Sequence, residues 1–147
     1  MQESANHSGA QRSAVKGRLL YLDPRDLTRD CIGHWFVTTL EEFDVKLLGH
    51  PNQLDELSLN PDSIRGIIFN AGAESVASDL VIDWLERLRK SVPDAPIILL
   101  SSREDRDEII DGFELGIRGY IPTNLAPDVV AEAVRLVCSG GTFAPVS

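Results

Sequence analysis

Four short apolar runs are each followed at once, or within two residues, by a polar side chain: Asp23, Asn70, Ser101 and Thr123. Carboxylate, amide and hydroxyl oxygens are the groups with which proteins hold hard divalent cations or contact a phosphoryl group. Asp23 is the single acid of this set, and the residue directly after it, Pro24, adds no second one.

These side chains need a scaffold that brings distant segments together. Short apolar runs alternate with longer segments of helical period, which predicts repeated βα units around a parallel sheet. Strands are expected at 19–22, 43–48, 66–69, 97–100 and 119–121, and helices near 27–35, 51–57, 80–88, 109–113 and 130–137. Their number and order favour an α/β doubly wound five-stranded parallel sheet, order 2-1-3-4-5, with helices on both faces. Apolar and polar residues alternate less regularly in the second strand, which is therefore expected at an edge of the sheet. The functional site is expected at the carboxyl ends of strands 1 and 3.

Two further motifs lie near the end of the chain: LGIRGYIP at 115–122 and SGGTFAP at 139–145. Together with the four polar positions, they make residues 18–145 similar to the receiver domain of two-component response regulators, in the LuxR-type branch (LuxR/NarL/FixJ) whose output is a helix-turn-helix. The resemblance implies a flavodoxin-like fold, a regulatory role in bacterial transcription, and no enzymatic activity.

In a phosphorylatable receiver, two adjacent acids hold Mg²⁺, an Asp accepts the phosphoryl group, a hydroxyl contacts it and a Lys pairs with it. By this resemblance Asp23 and Ser101 match their positions. Pro24 stands for the second acid, Asn70 for the phospho-acceptor and Thr123 for the Lys. We therefore expect an atypical receiver that works without phosphorylation, with no cofactor and no competent Mg²⁺ site. Asn70 is expected to hydrogen-bond Thr123 or Ser101 in a fixed network.

The resemblance also implies docking surfaces. Helix 4, strand 5 and helix 5 form one such surface, and helices 1 and 5 form the alternative; either serves a homodimer or an output domain. Tyr120 matches the aromatic that reports phosphorylation in the family, and is interpreted here as a static surface or interface residue. A rival hypothesis is a sensor that binds a small molecule in the vacant acidic pocket. The surface residues expected on the first interface are Arg106, Ile110, Ile117, Arg118 and Tyr120.

Composition limits the partners. The 147 residues include 14 Lys and Arg against 23 Asp and Glu, a net charge of −9, so direct contact with nucleic acid is not expected. Neither a membrane span nor a secretory signal is recognised, which favours a cytoplasmic protein. Cys31 and Cys138 are expected to be core thiols. Residues 1–16 are expected to be a disordered tail and 17–147 the receiver-like domain, with a helix-turn-helix domain following in a longer natural protein.

Overall fold

The computed structural model describes residues 16–57 and 60–145. All but the last residue of the predicted tail therefore lies outside the described residues. The described chain contains strands β1 to β5, helices α1 to α5 and one 3₁₀ turn. Their bounds are β1 Gly17–Leu22, α1 Asp26–Thr39, β2 Phe43–Leu48, α2 Gln53–Glu56, the turn Pro61–Ser63, β3 Ile64–Gly72, α3 Asp79–Ser91, β4 Ile97–Ser101, α4 Arg106–Glu114, β5 Gly119–Pro122 and α5 Pro127–Cys138.

The strands form one parallel sheet of order β2-β1-β3-β4-β5, which confirms the predicted topology. The two central strands β3 and β4 are almost entirely buried, because helices cover both of their faces. The edge strand β2 is only partly buried along most of its length, as its weaker alternation predicted.

Alternation along the strands divides the core into two layers. Leu20, Leu22 and Phe69 face the side covered by α2, α3 and α4. Leu19, Tyr21 and several β3 to β5 residues face α1 and α5. Because every second residue of β1 shares a face, Tyr21 and Asp23 both lie on the α1 side of the sheet. This alternation decides which strand residues can reach the site.

Local signals set the helix ends. The Ser78 hydroxyl accepts a hydrogen bond from the Val81 N–H and caps α3. Pro127 lies in the first turn of α5, where its missing N–H leaves no hydrogen bond unmade. Gly116 and Gly140 have φ of 99° and 106° just after α4 and α5, a backbone conformation that favours glycine.

Helix α4 begins at Arg106, three residues before the predicted 109, and residues 103–105 belong to the preceding loop. The expectation of a core thiol is wrong for Cys31, which is exposed on α1. Cys138 is partly buried and packs against the core layer covered by α1 and α5. Within residues 16–57 and 60–145, no helix combines the length and apolar character needed to cross a bilayer.

Candidate functional site

The sheet register brings the first two predicted site residues together. Leu22 of β1 pairs with Phe69 of β3, and one further step along both strands places Asp23 beside Asn70. Both side chains are buried, with exposed fractions of 0% and 2%. A buried carboxylate and a buried amide each need hydrogen-bond partners, because water cannot supply them.

A directed chain of hydrogen bonds satisfies both groups. The Gly72 N–H donates to Asn70 Oδ1 at 3.0 Å, and Asn70 Nδ2 donates to the Tyr21 hydroxyl at 2.9 Å. The Tyr21 hydroxyl then donates to Asp23 Oδ2 at 2.9 Å. Asn70 therefore accepts through one atom of its amide and donates through the other. An ionised carboxylate at this position has no donor for Tyr21, so the network selects Asn over Asp.

Arg25 completes this chain at the carboxylate. Its Nε lies 3.0 Å from Asp23 Oδ1, its Nη2 lies 3.4 Å from Oδ2, and its backbone N–H also donates to Oδ1 at 3.0 Å. The guanidinium is about half exposed while the carboxylate is fully buried. Asp23 thus has a charged partner and a phenolic donor, and both of its oxygens are used.

The remaining two predicted residues behave differently from each other. Ser101 is 1% exposed; its hydroxyl lies 3.3 Å from the Gly72 carbonyl and accepts from the Arg103 N–H at 3.0 Å. Thr123 is exposed, and its backbone N–H donates to the Ser101 carbonyl at 2.9 Å. The expectation that Asn70 bonds Thr123 or Ser101 is therefore wrong. The chain alternation places Asn70 on the Tyr21 side of the sheet instead.

Pro24 is exposed and has no ligating atom in its side chain. Asp26 lies in the first turn of α1, where it pairs with Arg29 at 2.9 Å and where a carboxylate interacts favourably with the helix dipole. In the described part of the chain, no group of three or more His, Cys, Asp and Glu side chains is placed to hold a metal ion. Pro24, the position that the resemblance gives to the second acid, thus supplies no carboxylate beside Asp23.

The loops around the site are tied to one another. Glu108 of α4 accepts from the Ser75 hydroxyl at 2.6 Å and from the Val76 N–H at 2.9 Å, which joins α4 to the loop after β3. The Arg103 Nε donates to the Ala73 carbonyl at 2.9 Å. These contacts hold the loop after β3 from the side of β4 and α4.

The structure corrects the expected docking surface at two positions. Tyr120 is fully buried, and its hydroxyl donates to the Arg103 carbonyl at 2.9 Å. Ile117 is 1% exposed and packs in the core beneath α4. Neither side chain can form part of a surface, because both complete the core layer that carries α3 and α4. Arg106, Arg118 and Ile110 are exposed, the last by 46%.

Burial also changes the acidity of the two tyrosines. Burial raises the pKa of Tyr21 well above its ordinary value, and the Asp23 charge raises it further, while the hydrogen bond from Asn70 opposes both effects. Burial likewise raises the pKa of Tyr120. Both hydroxyls are therefore neutral donors at physiological pH.

Sequence reasoning missed three participants: Tyr21, Arg25 and Glu108. A signal existed for the first, since Tyr21 lies two residues before Asp23 on a strand and so shares its face. Arg25 lies two residues after Asp23 in a loop, where the sequence does not indicate the direction of its side chain. The partners of Glu108 lie 32 and 33 residues away, and no sequence pattern indicates them.

Comparisons with known proteins show what this arrangement is similar to. No family model matches the chain. Among curated proteins, the transcriptional regulatory protein MctR of Rhizobium johnstonii is 32% identical over 62 residues, which cover 42% of this chain and 29% of MctR. The match thus spans less than a third of that regulator's length.

Solved structures match over most of the chain. A LuxR family DNA-binding response regulator from Silicibacter pomeroyi has a TM-score of 0.68 and 22% identity, covering 88% of this chain and 97% of that one. The isolated REC domain of RcsB from Salmonella enterica serovar Typhimurium, studied with phosphomimetic BeF₃⁻, has a TM-score of 0.69 and 16% identity, covering 88% of this chain and 94% of that one. The non-phosphorylated HemR receiver domain of Leptospira biflexa has a TM-score of 0.64 and 17% identity, covering 90% of this chain and 100% of that one. With its strand order and layered helices, this chain therefore has the flavodoxin-like fold of response regulator receiver domains.

Proposed function

We propose that this chain is an atypical receiver domain that works without phosphorylation, as an interaction module in transcription control. The observation that carries the proposal is Asn70, which stands where the resemblance places the phospho-acceptor. Its amide is committed at both ends, to the Gly72 N–H and to Tyr21. An amide is no nucleophile for a phosphoryl donor, and no lysine follows β5 to offset the charge of a transferred group.

The contacts around the site support a single maintained conformation. Glu108 joins α4 to the loop after β3, and the Tyr120 hydroxyl is held inside by the Arg103 carbonyl. A conformational change of the kind that phosphorylation drives would have to break these hydrogen bonds. Without a bound phosphoryl group, this chain lacks the charge that compensates for their loss in a phosphorylatable receiver. The proposed signal is therefore the amount of the protein or of its partner.

Intact-mass measurement after incubation with acetyl phosphate and Mg²⁺ tests the absence of phosphoryl transfer. We expect an unchanged mass, while a receiver domain with the complete set of acids, hydroxyl and lysine gains one phosphoryl group under the same conditions. A stable, acid-labile adduct of one phosphoryl group on this chain would overturn the proposal. Asn70→Ala provides the matched control, because an adduct that survives this substitution lies elsewhere.

The proposed partners are a second copy of this chain and a DNA-binding output domain, attached or separate. Two observations support the DNA-binding output domain as a partner. The LuxR family neighbour is itself DNA-binding, and RcsB has been solved with DNA; this chain covers 64% of that RcsB chain. The net charge of −9 argues that the described domain does not contact DNA itself.

The dimer is proposed on the exposed part of the α4 to α5 surface. Ile110 is a 46% exposed apolar side chain on α4, with exposed Arg106 and Arg118 nearby in the same predicted surface. Light scattering should show a dimer for the wild type and a monomer for Ile110→Asp, whereas Ile82→Asp on α3 serves as the control. A monomeric wild type would refute the dimer, and a dimeric Ile110→Asp would move the interface to α1 and α5.

The sensor hypothesis gains no support at the predicted place. The acid that a ligand was expected to meet, Asp23, is fully buried and its oxygens already accept from Tyr21 and Arg25. The expected vacant acidic pocket is therefore occupied by protein groups. A cavity of about 640 Å³ lies instead at the amino ends of β3, β4 and β5, beside Arg65, Arg89 and Arg118.

A further inference from the structure

We propose that the guanidinium of Arg25 is the built-in cation of this site and takes the place that the resemblance assigns to Mg²⁺. The proposal rests on the proposed function in one respect, namely that the site corresponds to the phosphorylation site of a receiver. It goes further by assigning a role to Arg25 and by making the fold independent of divalent cations. The contacts of a single buried carboxylate carry the argument.

The first step is the need for a positive charge. Asp23 is fully buried at the end of β1, and an isolated ionised carboxylate is costly in such a place. Arg25 approaches both of its oxygens, at 3.0 Å and 3.4 Å, which gives the forked geometry that guanidinium groups form with carboxylates. A charged group that is half exposed thus neutralises one that is fully buried.

The second step is the space that the guanidinium takes. A Cβ added to Gly72 would lie 2.4 Å from Arg25 Nη1 and 3.0 Å from Cζ. Gly72 also has a φ of 59°, so a side chain there would be strained as well as obstructed. The guanidinium therefore lies beside Gly72, between the end of β1 and the end of β3, and a side chain at Gly72 would have to displace it.

The third step is the competition between this cation and a metal ion. A divalent cation at Asp23 would have to displace the guanidinium and would find no side-chain ligand at Pro24. Asn70 Oδ1 already accepts from the Gly72 N–H. The donor set thus fits a guanidinium, which provides hydrogen bonds, better than a hard cation, which needs several free oxygens.

Thermal unfolding with and without millimolar Mn²⁺ tests the assignment. We expect no change for the wild type and a melting temperature about 5–10 °C lower for Arg25→Ala, since a buried charge loses its partner. Methylguanidinium should restore part of that loss, whereas millimolar Mn²⁺ should not, because the Asp23 carboxylate alone does not complete a metal site. Arg29→Ala is the matched control: Arg29 donates to the Asp23 backbone carbonyl and not to its carboxylate, so neither addition should restore it.

Paramagnetic broadening by Mn²⁺ in NMR spectra gives a readout that does not depend on the variant folding well. Wild-type signals around Asp23 and Asn70 should stay sharp. Broadening there in the wild type, or an Arg25→Ala protein that is as stable as the wild type, would overturn the proposal. A phosphoryl adduct combined with sharp signals would refute the proposed function alone, whereas broadening with no adduct would refute the role of Arg25 alone.

Discussion

Replacing Asn70 by Asp tests the hydrogen-bond chain directly. Asn70→Asp introduces the residue type that the proposed correspondence with phosphorylatable receivers calls for, yet we expect it to destabilise this protein. Asp23 and Asn70 each lie 2.9 Å from the same phenolic oxygen, which puts the two groups within about 6 Å of each other. Two carboxylates at that separation repel by about 3 kcal/mol at an effective dielectric constant of 20, and Arg25 offsets part of this. Loss of the Asn70 donor to Tyr21 adds about 1 kcal/mol.

The sign of the pH dependence follows from the same geometry. Burial and the Asp23 charge raise the pKa of the introduced carboxyl above its ordinary value, because both disfavour its ionised form. The protonated form keeps an O–H that can donate to Tyr21. The loss of stability caused by Asn70→Asp is therefore small below the ordinary carboxyl pKa, about 4, and grows as the pH rises through the raised pKa of the folded state. At pH 8 we expect a net loss of about 2–3 kcal/mol in the free energy of unfolding.

Urea unfolding followed by fluorescence of the buried Trp84 measures this loss at pH 8 and pH 5. Asn70→Ala is the control: it leaves the Gly72 N–H without its partner and should cost about 1–3 kcal/mol, equally at both pH values. The gap between Asn70→Asp and the wild type should instead narrow at pH 5. Equal urea midpoints for Asn70→Asp and the wild type at pH 8 would refute the assigned network.

Three further outcomes follow from other contacts. Glu108→Ala should cost about 1–2 kcal/mol and speed amide hydrogen exchange at Val76, because it removes the acceptor of that N–H, whereas Glu114→Ala at the end of the same helix should change neither. A maleimide at pH 8 should modify the exposed Cys31 rapidly and Cys138 slowly, since burial raises the pKa of the Cys138 thiol to about 11; equal rates would contradict the assigned burial. Because burial raises the pKa of both tyrosines, their contribution to the free energy of unfolding should be fully present below about pH 10 and should decline above it. An absorbance titration that shows tyrosinate in the folded protein at pH 10 would contradict this expectation.

The sequence predicted the fold because the fold depends on patterns that are local in the chain. The apolar runs gave the five strands to within two or three residues at each end, and helical period and glycine gave most helix positions. Strand order followed because parallel βα units of this number have few ways to pack. The start of α4 was predicted three residues too late, since a polar segment fits a loop and a first helical turn equally well.

The candidate site was only half predictable. The sequence placed Asp23, Asn70 and Ser101 at the ends of neighbouring strands, and the structure buries all three there. It could not tell which partner each one takes, because a partner depends on which face of the sheet a side chain reaches. Asn70 bonds Tyr21 and not Ser101 for this reason. Similarly, Ile117 and Tyr120 were expected at the surface, but their packing under α4 places them in the core.

The sequence by itself determined that Asn70, Pro24 and Thr123 offer neither a carboxylate nor an ammonium group, and no arrangement of the chain changes their chemistry. Only the tertiary structure decided which groups surround Asp23 and Asn70. Register and burial bring Tyr21 between Asn70 and Asp23 and set Arg25 against Gly72, because a buried carboxylate must find donors and a counter-charge wherever folding leaves it.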